Sequence, residues 1–484
     1  MFSLRMSLSD TDKMPAADGS DFAVGDGRIE AFKSLHIVGS SDDRNGRRSI
    51  WFGENGDPFA HLAIEPAGRN EYTAFIDYSG VKIVLIGAPG QKRIAISRTA
   101  AGGWPLYVAV AGEEIAASWR FEQAVEVLER PRPNLQACRF FLEFNGVYTR
   151  DQVIEGVYML WPGESLEFGA DGLTFHKAEH DNVVTPSTLT SDARATDEFL
   201  FLIADALRLN LERSRNPIVE LSGGFDSSCV ALAARSIRSD LNSYGLIQEG
   251  AVGRQQTVRR DELIALLQIQ DSTYPACADP PFAALGTVSE CSLTPFDDIY
   301  RMQSVHGVEN HPAFPFDLLI TGLGGDELTK EDTFLRGSLE LGGNIPTSSM
   351  TAAVGRCDMF MRRGIWVTHP LVAQPIVDFC RALPAKMRDK RLLNVLTLAR
   401  SGLSDGFLFP RYYEHYGSMI QREASLFDFD GPFRESVVAD YGLGDLSTLL
   451  HEAREGTLMG LDHPLITRLW LHMKLEMVLR RYVR

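Results

Sequence analysis

The chain has 484 residues, of which 44% are hydrophobic and 23% are charged, and its formal net charge is −16. This size and balance are typical of a globular protein with two or three domains, and the acidic charge argues against broad contact with nucleic acid. No apolar run is long enough to span a bilayer, and the N-terminus lacks a basic region followed by an apolar one. We therefore expect a cytoplasmic protein that binds neither nucleic acid nor membranes.

The N-terminal part of the chain is rich in short β-prone runs. Residues 1–28 are polar, acidic and glycine-rich, which predicts a mobile acidic leader. Helical patterns near residues 121–128 and 135–144 are expected to cover sheets formed by the β-prone runs. These runs, separated by turn residues, predict stacked antiparallel sheets and include residues 61–64, 72–78, 81–86 and 93–97.

A polar stretch with Pro186, residues 181–191, is the predicted linker, and we place the domain boundary between residues 185 and 186. Beyond Met350 the sequence has mostly helical patterns. A helix directly after the linker is predicted by apolar residues at helical spacing, namely Phe199, Leu200, Ile203, Ala206, Leu207 and Leu211.

The most informative segment is residues 222–228, which reads Ser-Gly-Gly-Phe-Asp-Ser-Ser between a β-prone run and a helix-compatible run. Two glycines allow backbone N–H groups to approach a ligand closely, and the N-terminus of a helix attracts an anion. Serine hydroxyls add donors, and the carboxylate of Asp226 suits a divalent cation beside phosphates. The segment predicts a phosphate-binding loop, but not a Walker A loop, because no Gly-Lys-Ser/Thr closes it.

A second glycine-rich turn, Gly-Leu-Gly-Gly-Asp-Glu-Leu at residues 322–328, also follows an apolar run. Residues 242–247 predict a further strand, and strands that alternate with helices indicate a parallel sheet with ligands beyond the strand carboxyl ends. Both turns are expected at that edge, where Asp226 and Asp326 offer the hard oxygen ligands that Mg²⁺ prefers.

The first loop resembles the pyrophosphate-binding loop of the ATP-pyrophosphatase superfamily, whose members cleave ATP between the α and β phosphates and adenylate a substrate. The second turn is similar to the Gly-x-Gly-Gly-Asp-Glu-Leu segment of the asparagine synthetase family. This resemblance implies that Asp226 and Asp326 bind Mg²⁺. It implies that ATP is bound by Leu221, Ser222, Gly223, Gly224, Asp226, Ser227, Ser228, Leu246, Ile247, Gly322 and Gly324.

Residues 29–185 resemble, in their latter half, the glutaminase-type domain of the asparagine synthetase family. Family members that release ammonia from glutamine use a cysteine at the mature N-terminus. This chain begins Met1-Phe2-Ser3 and has no cysteine before Cys138. We predict a structural domain without glutaminase activity, in which Ser3 could replace the nucleophile only after unusual processing.

The predicted fold class is therefore α/β with two domains. An N-terminal glutaminase-like (Ntn-type) domain of stacked β-sheets, without its nucleophile, occupies residues 29–185. A parallel-sheet α/β synthetase domain with a helical C-terminal part follows at residues 186–484.

Residues 369–375 read His-Pro-Leu-Val-Ala-Gln-Pro and are similar to the Pro-Leu-Leu-Ser-Gln-Pro segment of lasso peptide cyclases. These asparagine synthetase-like enzymes close a macrolactam ring. The resemblance implies an ATP- and Mg²⁺-dependent ligase that adenylates a carboxylate, releases pyrophosphate, and joins the acyl group to an amine with release of AMP. It also implies a precursor peptide as substrate, with a leader peptidase and a leader-binding protein as further partners.

Some positions depart from the family patterns. β-Lactam-forming relatives use a Tyr and a supporting Glu to help deprotonate the amine, whereas Leu323 and Trp366 stand here and cannot act as bases. The Lys of an Arg-x-x-Lys-Gly-like segment is also missing from residues 403–417. Arg411 and His415 are the candidates for positive charge near the leaving pyrophosphate.

Three other functions stay open on the sequence. The first is an intermolecular or ammonia-dependent amide ligase that acts on a metabolite. The second is a catalytically silent scaffold that binds nucleotide or peptide. The third, a minor alternative, is modification of transfer RNA.

Cysteines and histidines give no clear metal pattern. The six cysteines lack a Cys-x-x-Cys pair and are expected to be buried, reduced thiols. His176 and His180 lie four residues apart without evident further ligands, so we expect exposed polar residues rather than a zinc site.

Overall fold

The computed structural model describes most of the chain. The predicted linker, and the β-prone runs at 61–64 and 72–78, lie outside the described residues. The described residues are 2–13, 16–18, 21–36, 38–44, 47–54, 79–88, 91–99, 102–144, 149–176, 192–279, 293–298, 300–325, 328, 347–412, 435–444, 448–449, 451–452 and 463–483.

Seven described strands in the N-terminal half form an antiparallel sheet. They are β1 (Phe2–Ser7), β2 (Ala16–Asp18), β3 (Asp21–Val24), β4 (Gly27–Ala31), β9 (Tyr107–Ala111), β10 (Glu114–Ser118) and β11 (Val157–Met159). Their order is β11-β9-β10-β1-β4-β3-β2, and every pair is antiparallel.

Six further described strands form a second antiparallel sheet that packs on the first. They are β5 (Val38–Arg44), β6 (Arg47–Gly53), β7 (Gly80–Ala88), β8 (Gln91–Arg98), β12 (Ser165–Gly169) and β13 (Gly172–His176). Their order is β13-β12-β8-β7-β6-β5. The Phe2 ring of the first sheet stacks on the Phe52 ring of the second, with centroids 5.7 Å apart. The predicted stack of antiparallel sheets is confirmed.

The prediction of a mobile leader over residues 1–28 is wrong. Strand β1 pairs with β10 on one side and β4 on the other, so it lies inside the sheet. Phe2, Leu4 and Met6 alternate with polar residues and are at most 2% exposed. Acidic residues of this segment have structural roles, since Asp10 accepts the Ser7 N–H at 3.1 Å and so closes a helix cap. The polar composition of residues 1–28 led to the wrong prediction. The alternation of apolar and polar residues in β1, which places every second side chain on the buried face, was the better signal.

Helices α1 (Phe121–Val125) and α2 (Leu135–Phe144) cover the other face of the first sheet, as the sequence predicted. Phe121 meets Tyr107 of β9 edge to face, with centroids 5.0 Å apart. Cys138 and Phe141 of α2 are buried in the same cluster.

The C-terminal half contains a sheet of five described strands, all parallel, as predicted. They are β14 (Pro217–Glu220), β15 (Asn242–Ile247), β16 (Gln270–Pro275), β17 (Leu318–Ile320) and β18 (Trp366–Thr368). The order β16-β15-β14-β17-β18 reverses direction between β14 and β17. Connections leave to opposite sides at such a reversal, which opens a crevice at the strand carboxyl ends.

Helices surround this sheet and dominate the C-terminal part, as predicted. Helix α3 buries Phe199, Ile203, Leu207 and Leu211, which are four of the six apolar residues expected on its inner face. Within the described residues, no helix combines the length and apolarity needed to cross a membrane. The described helices of this half are α3 (Asp192–Arg213), α4 (Phe225–Ile237), α5 (Gly250–Leu267), α6 (Arg301–Glu309), α7 (Thr347–Met361), α8 (Gln374–Ala382), α9 (Ala385–Arg388), α10 (Leu392–Arg400), α11 (Asp405–Leu408), α12 (Val437–Asp440) and α13 (His463–Val483), with 3₁₀ segments at Pro370–Val372 and Asp389–Arg391; a further 3₁₀ segment, Leu8–Asp12, follows β1 in the N-terminal half.

The two halves share one hydrophobic core. A continuous cluster of buried residues contains Phe2 and Ile83 of the antiparallel sheets together with Ile218 and Leu319 of the parallel sheet. The parallel sheet is therefore held in a fixed position against the N-terminal half.

Candidate active site

The first glycine loop joins β14 to α4 as the sequence predicted. Gly223 has a φ of +88°, which side-chain-bearing residues rarely adopt, and Gly224 caps α4 in an extended conformation. Ser222 Oγ accepts the Gly224 N–H at 3.0 Å, and Ser228 Oγ donates to the Gly224 carbonyl at 2.6 Å. The first N–H groups of α4 have no carbonyl partner within the helix, so they form a site for an anion.

Gln256 of α5 fixes this loop to the end of β15. Its amide Nε2 donates to the Ser222 carbonyl at 3.3 Å and to the Leu246 carbonyl at 3.1 Å, and its Oε1 accepts the Gln248 N–H at 2.9 Å. Gln256 is fully buried. The ends of β14 and β15 are therefore held at a fixed spacing.

The second glycine turn packs directly on the first loop. A Cβ at Gly322 would lie 2.6 Å from Ser227 N, and a Cβ at Gly325 would overlap the carboxyl group of Asp226. Only glycine permits this approach at either position. Asp326 follows Gly325 immediately, but Asp326 itself lies outside the described residues.

Asp226 lies between a cation and an amide. Asn394 of α10 donates its Nδ2 to Asp226 Oδ1 at 2.7 Å, and Arg391 Nη2 lies 3.3 Å from Asp226 Oδ2. The side chain of Asp226 is 15% exposed. Sequence reasoning missed both partners, although the basic run Lys390-Arg391 before a helical pattern was the available signal.

The two turns border a cavity of about 320 Å³, which is within the range of small-molecule sites. Of the predicted nucleotide-binding residues, Leu221, Gly223, Ser228 and Ile247 are not in its lining, although the first three belong to the first loop and its helix. The lining residues are Glu220, Ser222, Gly224, Asp226, Ser227, Gly245, Leu246, Tyr300, Gly322, Leu323, Gly324, Ala352 and Arg356.

One wall of the cavity carries an ion pair that sequence reasoning also missed. Glu220, the last residue of β14, has its Oε1 3.0 Å from Arg356 Nη2 of α7. Arg356 Nη1 donates to Ser304 Oγ at 2.6 Å and lies 3.6 Å from Asp298 Oδ2. The side chains of Glu220 and Arg356 are 19% and 10% exposed. A charged residue at the end of an apolar strand, next to a glycine loop, was the available signal for Glu220.

Buried ion pairs continue from this wall to the N-terminal half. Arg301 lies 2.7 Å from Asp297, the neighbour of Asp298 in the chain, and 3.5 Å from Asp358. We define the chain of charged residues Glu220, Arg356, Asp298, Asp297, Arg301, Asp358, Arg362 and Glu122 as the ion-pair chain. Its last links are Arg362 to Asp358 at 2.8 Å and Arg362 to Glu122 of α1 at 2.7 Å.

Lys474 of α13 also contacts the ion-pair chain, at Asp297. Its Nζ donates to the Asp297 carbonyl at 3.0 Å. Burial lowers the pKa of Lys474 to about 8, partly offset by the charges of Asp297 and Asp298. The C-terminal helix is therefore held against the same wall.

The remaining predicted site residues are not among the described residues that line this cavity. Arg411 is exposed, with its guanidinium 5.5 Å from the Tyr412 ring centroid, and does not line the cavity. His415 lies outside the described residues. Leu323 does line the cavity, whereas Trp366 donates its indole N–H to Glu54 at 2.8 Å and is not in the lining.

In the N-terminal half, Ser3 lies within β1. Its Oγ is 2.9 Å from Ser118 Oγ and donates to Gln123 Oε1 at 2.7 Å. Neither partner is a base that could activate the hydroxyl.

The described cysteines are buried or half-buried, and His176 is half-buried. Cys138, Cys229, Cys357 and Cys380 are free and buried, as expected; Cys277 is half-buried, and Cys291 lies outside the described residues. His176 is half-buried, 4.0 Å from Glu167, and His180 lies outside the described residues. Within the part of the chain that the structure describes, no group of three or more metal-ligating side chains occurs.

Comparisons with known proteins give only distant likenesses. No family model matches the chain, and no curated protein is significantly similar to it. Among solved structures, the NMN synthetase from Francisella tularensis is 15% identical, covers 46% of this chain and 100% of its own, and gives a TM-score of 0.22. The allosteric regulatory enzyme of purine biosynthesis is 9% identical over 58% of this chain and 76% of its own, with a TM-score of 0.22.

The glutamine phosphoribosylpyrophosphate amidotransferase from B. subtilis, solved with ADP and GMP, is 10% identical over 54% of this chain and 64% of its own, with a TM-score of 0.18. TM-scores of this size do not establish a shared fold.

Proposed function

We propose that this protein is an ATP-dependent ligase that adenylates a carboxylate and joins the acyl group to an amine, with release of pyrophosphate and AMP. The observation that carries the proposal is the packing of Gly325 on the carboxyl group of Asp226. It brings the two glycine turns, each at the end of a parallel strand, to one cavity. Two such turns, with a helix N-terminus and a carboxylate, suit the phosphates and the cation of a nucleoside triphosphate.

The residues present suit a magnesium nucleotide. Gly322 and Gly325 let the second turn pack against Ser227 and Asp226 of the first loop, and Asp226 offers a carboxylate at the N-terminus of α4. Asp226 and Asp326 would hold Mg²⁺, which would withdraw negative charge from the phosphates. Leu246, at the end of β15, supplies an apolar surface in the cavity lining for the adenine base.

The chemistry follows from the need for a good leaving group. A carboxylate does not react with an amine directly, because its oxygen leaves poorly. In the proposed reaction the substrate carboxylate attacks the α-phosphorus of ATP and pyrophosphate departs; an amine then displaces AMP. The N–H groups at the start of α4 and the guanidinium of Arg391, 3.3 Å from Asp226, would stabilise the charge on the departing pyrophosphate.

The finer proposal is that the acyl group and the amine belong to one precursor peptide, so that the product is a macrolactam. This rests on residues 369–375, which resemble a segment of lasso peptide cyclases. A Cβ at Gly324 would lie 2.8 Å from Val372 Cγ1, so this segment packs on the second glycine turn. Both reacting groups in one peptide would gain from their high effective concentration. A leader peptidase and a leader-binding protein would be the expected partners, and the cytoplasm the expected location.

The test uses the full chain with Mg²⁺, ATP and a panel of carboxylates that includes linear peptides with Asp or Glu side chains. Release of AMP and pyrophosphate is expected, and a cyclised peptide would lose the mass of one water. Asp226→Asn should lower the rate by about 10²-fold or more, the scale of losing one group that stabilises transition-state charge. The matched control is Asp240→Asn, whose side chain is 69% exposed. Release of ADP and phosphate would contradict the proposal.

A further inference from the structure

The ion pair between Glu220 and Arg356 places a carboxylate in the wall of the proposed active site. Glu220 directly precedes Leu221 and Ser222 of the first loop and lines the same cavity as Asp226 and Leu323. We propose that Glu220 is the general base that accepts a proton from the attacking amine, with Arg356 as its positioning residue. This inference rests on the proposed function.

The reaction needs a base because amines enter such a site mainly as ammonium ions. The pKa of a free α-amino group is about 8 and that of a lysine amine is about 10. An ammonium ion has no lone pair with which to attack an acyl group. Some group in the cavity must therefore remove a proton.

Few described lining residues could do this. Leu323 has no titratable group, and Trp366 points to Glu54 instead of the cavity. Asp226 is engaged by Arg391 and Asn394 on the phosphate side of the site. Tyr300 also lines the cavity, but a tyrosine hydroxyl carries its proton at neutral pH and is a poor base. Glu220 is the remaining carboxylate of the described lining.

Arg356 gives Glu220 a fixed orientation. Its Nη2 lies 3.0 Å from Glu220 Oε1, while its Nη1 is fixed by Ser304 at 2.6 Å and faces Asp298 at 3.6 Å. A guanidinium held at both ends restricts the carboxylate to one position. The negative carboxylate also attracts the positive ammonium ion of the substrate.

The ammonium nitrogen loses two protons in the proposed step, and Glu220 takes the first. One proton passes from the ammonium nitrogen to the carboxylate of Glu220, which leaves a lone pair on nitrogen. That pair forms the C–N bond at the acyl carbon, the bond from the acyl carbon to the AMP oxygen breaks, and its electron pair leaves on AMP. The second proton on nitrogen is lost to water.

The experiment separates adenylation from amine attack in Glu220→Gln, which keeps the size of the side chain. ATP–pyrophosphate exchange with the carboxylate panel measures adenylation. Acyl transfer is then measured with methylamine, which is an ammonium ion at pH 7.5, and with hydroxylamine, which is mainly unprotonated there. The matched control is Glu212→Gln, an exposed residue of α3.

We expect exchange and hydroxamate formation to stay within about threefold of wild type, while transfer to methylamine falls by about 10² to 10⁴, the usual contribution of general base catalysis. Higher pH should partly restore transfer to methylamine in the variant. If Glu220→Gln fails to fold, the double variant Glu220→Gln/Arg356→Met removes both charges together and should show the same split.

Two outcomes would overturn the role of Glu220 and leave the proposed function intact: equal losses with both nucleophiles, or no loss with either. Absence of ATP–pyrophosphate exchange in the wild type across the panel would overturn the proposed function itself, and with it the role of Glu220.

Discussion

Trp366 donates its indole N–H to Glu54 Oε1 over 2.8 Å, which joins the parallel sheet to the antiparallel half of the molecule. Asn210 Nδ2 donates to the same oxygen at 3.3 Å, and the Ser79 N–H donates to Oε2 at 3.2 Å. Burial raises the pKa of Glu54, and these donors oppose that effect. Each of these donors therefore lowers the pKa of Glu54 and favours its ionised form.

Trp366→Phe should destabilise the fold by about 1–3 kcal/mol, because the buried Glu54 Oε1 loses the nearer of its two donors. An acid whose pKa is raised by folding stabilises most at low pH and loses that contribution as pH rises through its folded pKa. Loss of the indole donor raises the pKa of Glu54 further, so the destabilisation should be greater at pH 8 than at pH 5. Urea unfolding at both pH values measures this difference.

Trp51→Phe is the matched control for Trp366→Phe, because the Trp51 Nε1 has no partner among the described residues. It should cost little at either pH. An equal loss for Trp366→Phe at both pH values would contradict the role assigned to the Glu54 bond.

Leu4→Ala tests whether the first residues of the chain belong to the core. Leu4 is 2% exposed inside β1, and truncation of a buried leucine costs about 2–5 kcal/mol. Arg5→Ala is the neighbouring control, since the Arg5 side chain is 63% exposed and its pair with Glu114 is a surface one. Thermal or urea unfolding compares the two, and similar small effects would restore the leader interpretation.

His369→Gln should reduce the acid sensitivity of the fold. His369 Nδ1 is 2.7 Å from Thr321 Oγ1, and burial, with a smaller effect of the Arg356 charge, lowers the pKa of His369 to about 3. The unfolded chain binds this proton near pH 6.5, so stability falls as pH drops below that value, by about 1.4 kcal/mol per pH unit. Unfolding free energies between pH 4.5 and 7 should show a shallower slope in the variant. Equal slopes would contradict the expectation.

Arg391→Ala should weaken the binding of Mg·ATP by about 10- to 100-fold, the scale of a lost hydrogen bond to a charged group. Arg391 lies 3.3 Å from Asp226 and would be near the phosphates. Arg400→Ala, at the far end of the helix that begins directly after Arg391, is the control, because Arg400 pairs with the exposed Asp197 at 3.0 Å. Calorimetric titration measures both, and unchanged affinity in Arg391→Ala would remove Arg391 from the site.

Local patterns predicted the elements that position the site. The strand, glycine turn and helix around residues 218–235 are present as β14 and α4, and the predicted strand at residues 242–247 has the bounds of β15. Strand–helix alternation also predicted the parallel sheet, because short connections leave few other topologies. The packing of Gly325 on Asp226 follows from that topology.

The sequence could not predict which side chains of distant helices meet the residues of the site. Glu220 and Arg356 lie far apart in sequence, and nothing local indicates that α7 brings Arg356 to the end of β14. Arg391 was missed for the same reason, since its role depends on how α10 packs on α4. Strand β1 was missed because acidic composition was given more weight than the alternation of Phe2, Leu4 and Met6.

The ion-pair chain links the two halves of this protein, so we expect that neither half can be exchanged without the other. Glu122 of α1 contacts Arg362, which shares Asp358 with Arg301, and the series ends at Glu220. A recombination event that replaced the N-terminal half alone would leave Arg362 paired with Asp358 but would remove the carboxylate of Glu122. Chimeras of this protein with its relatives should therefore retain activity only when both ends of the series come from the same parent.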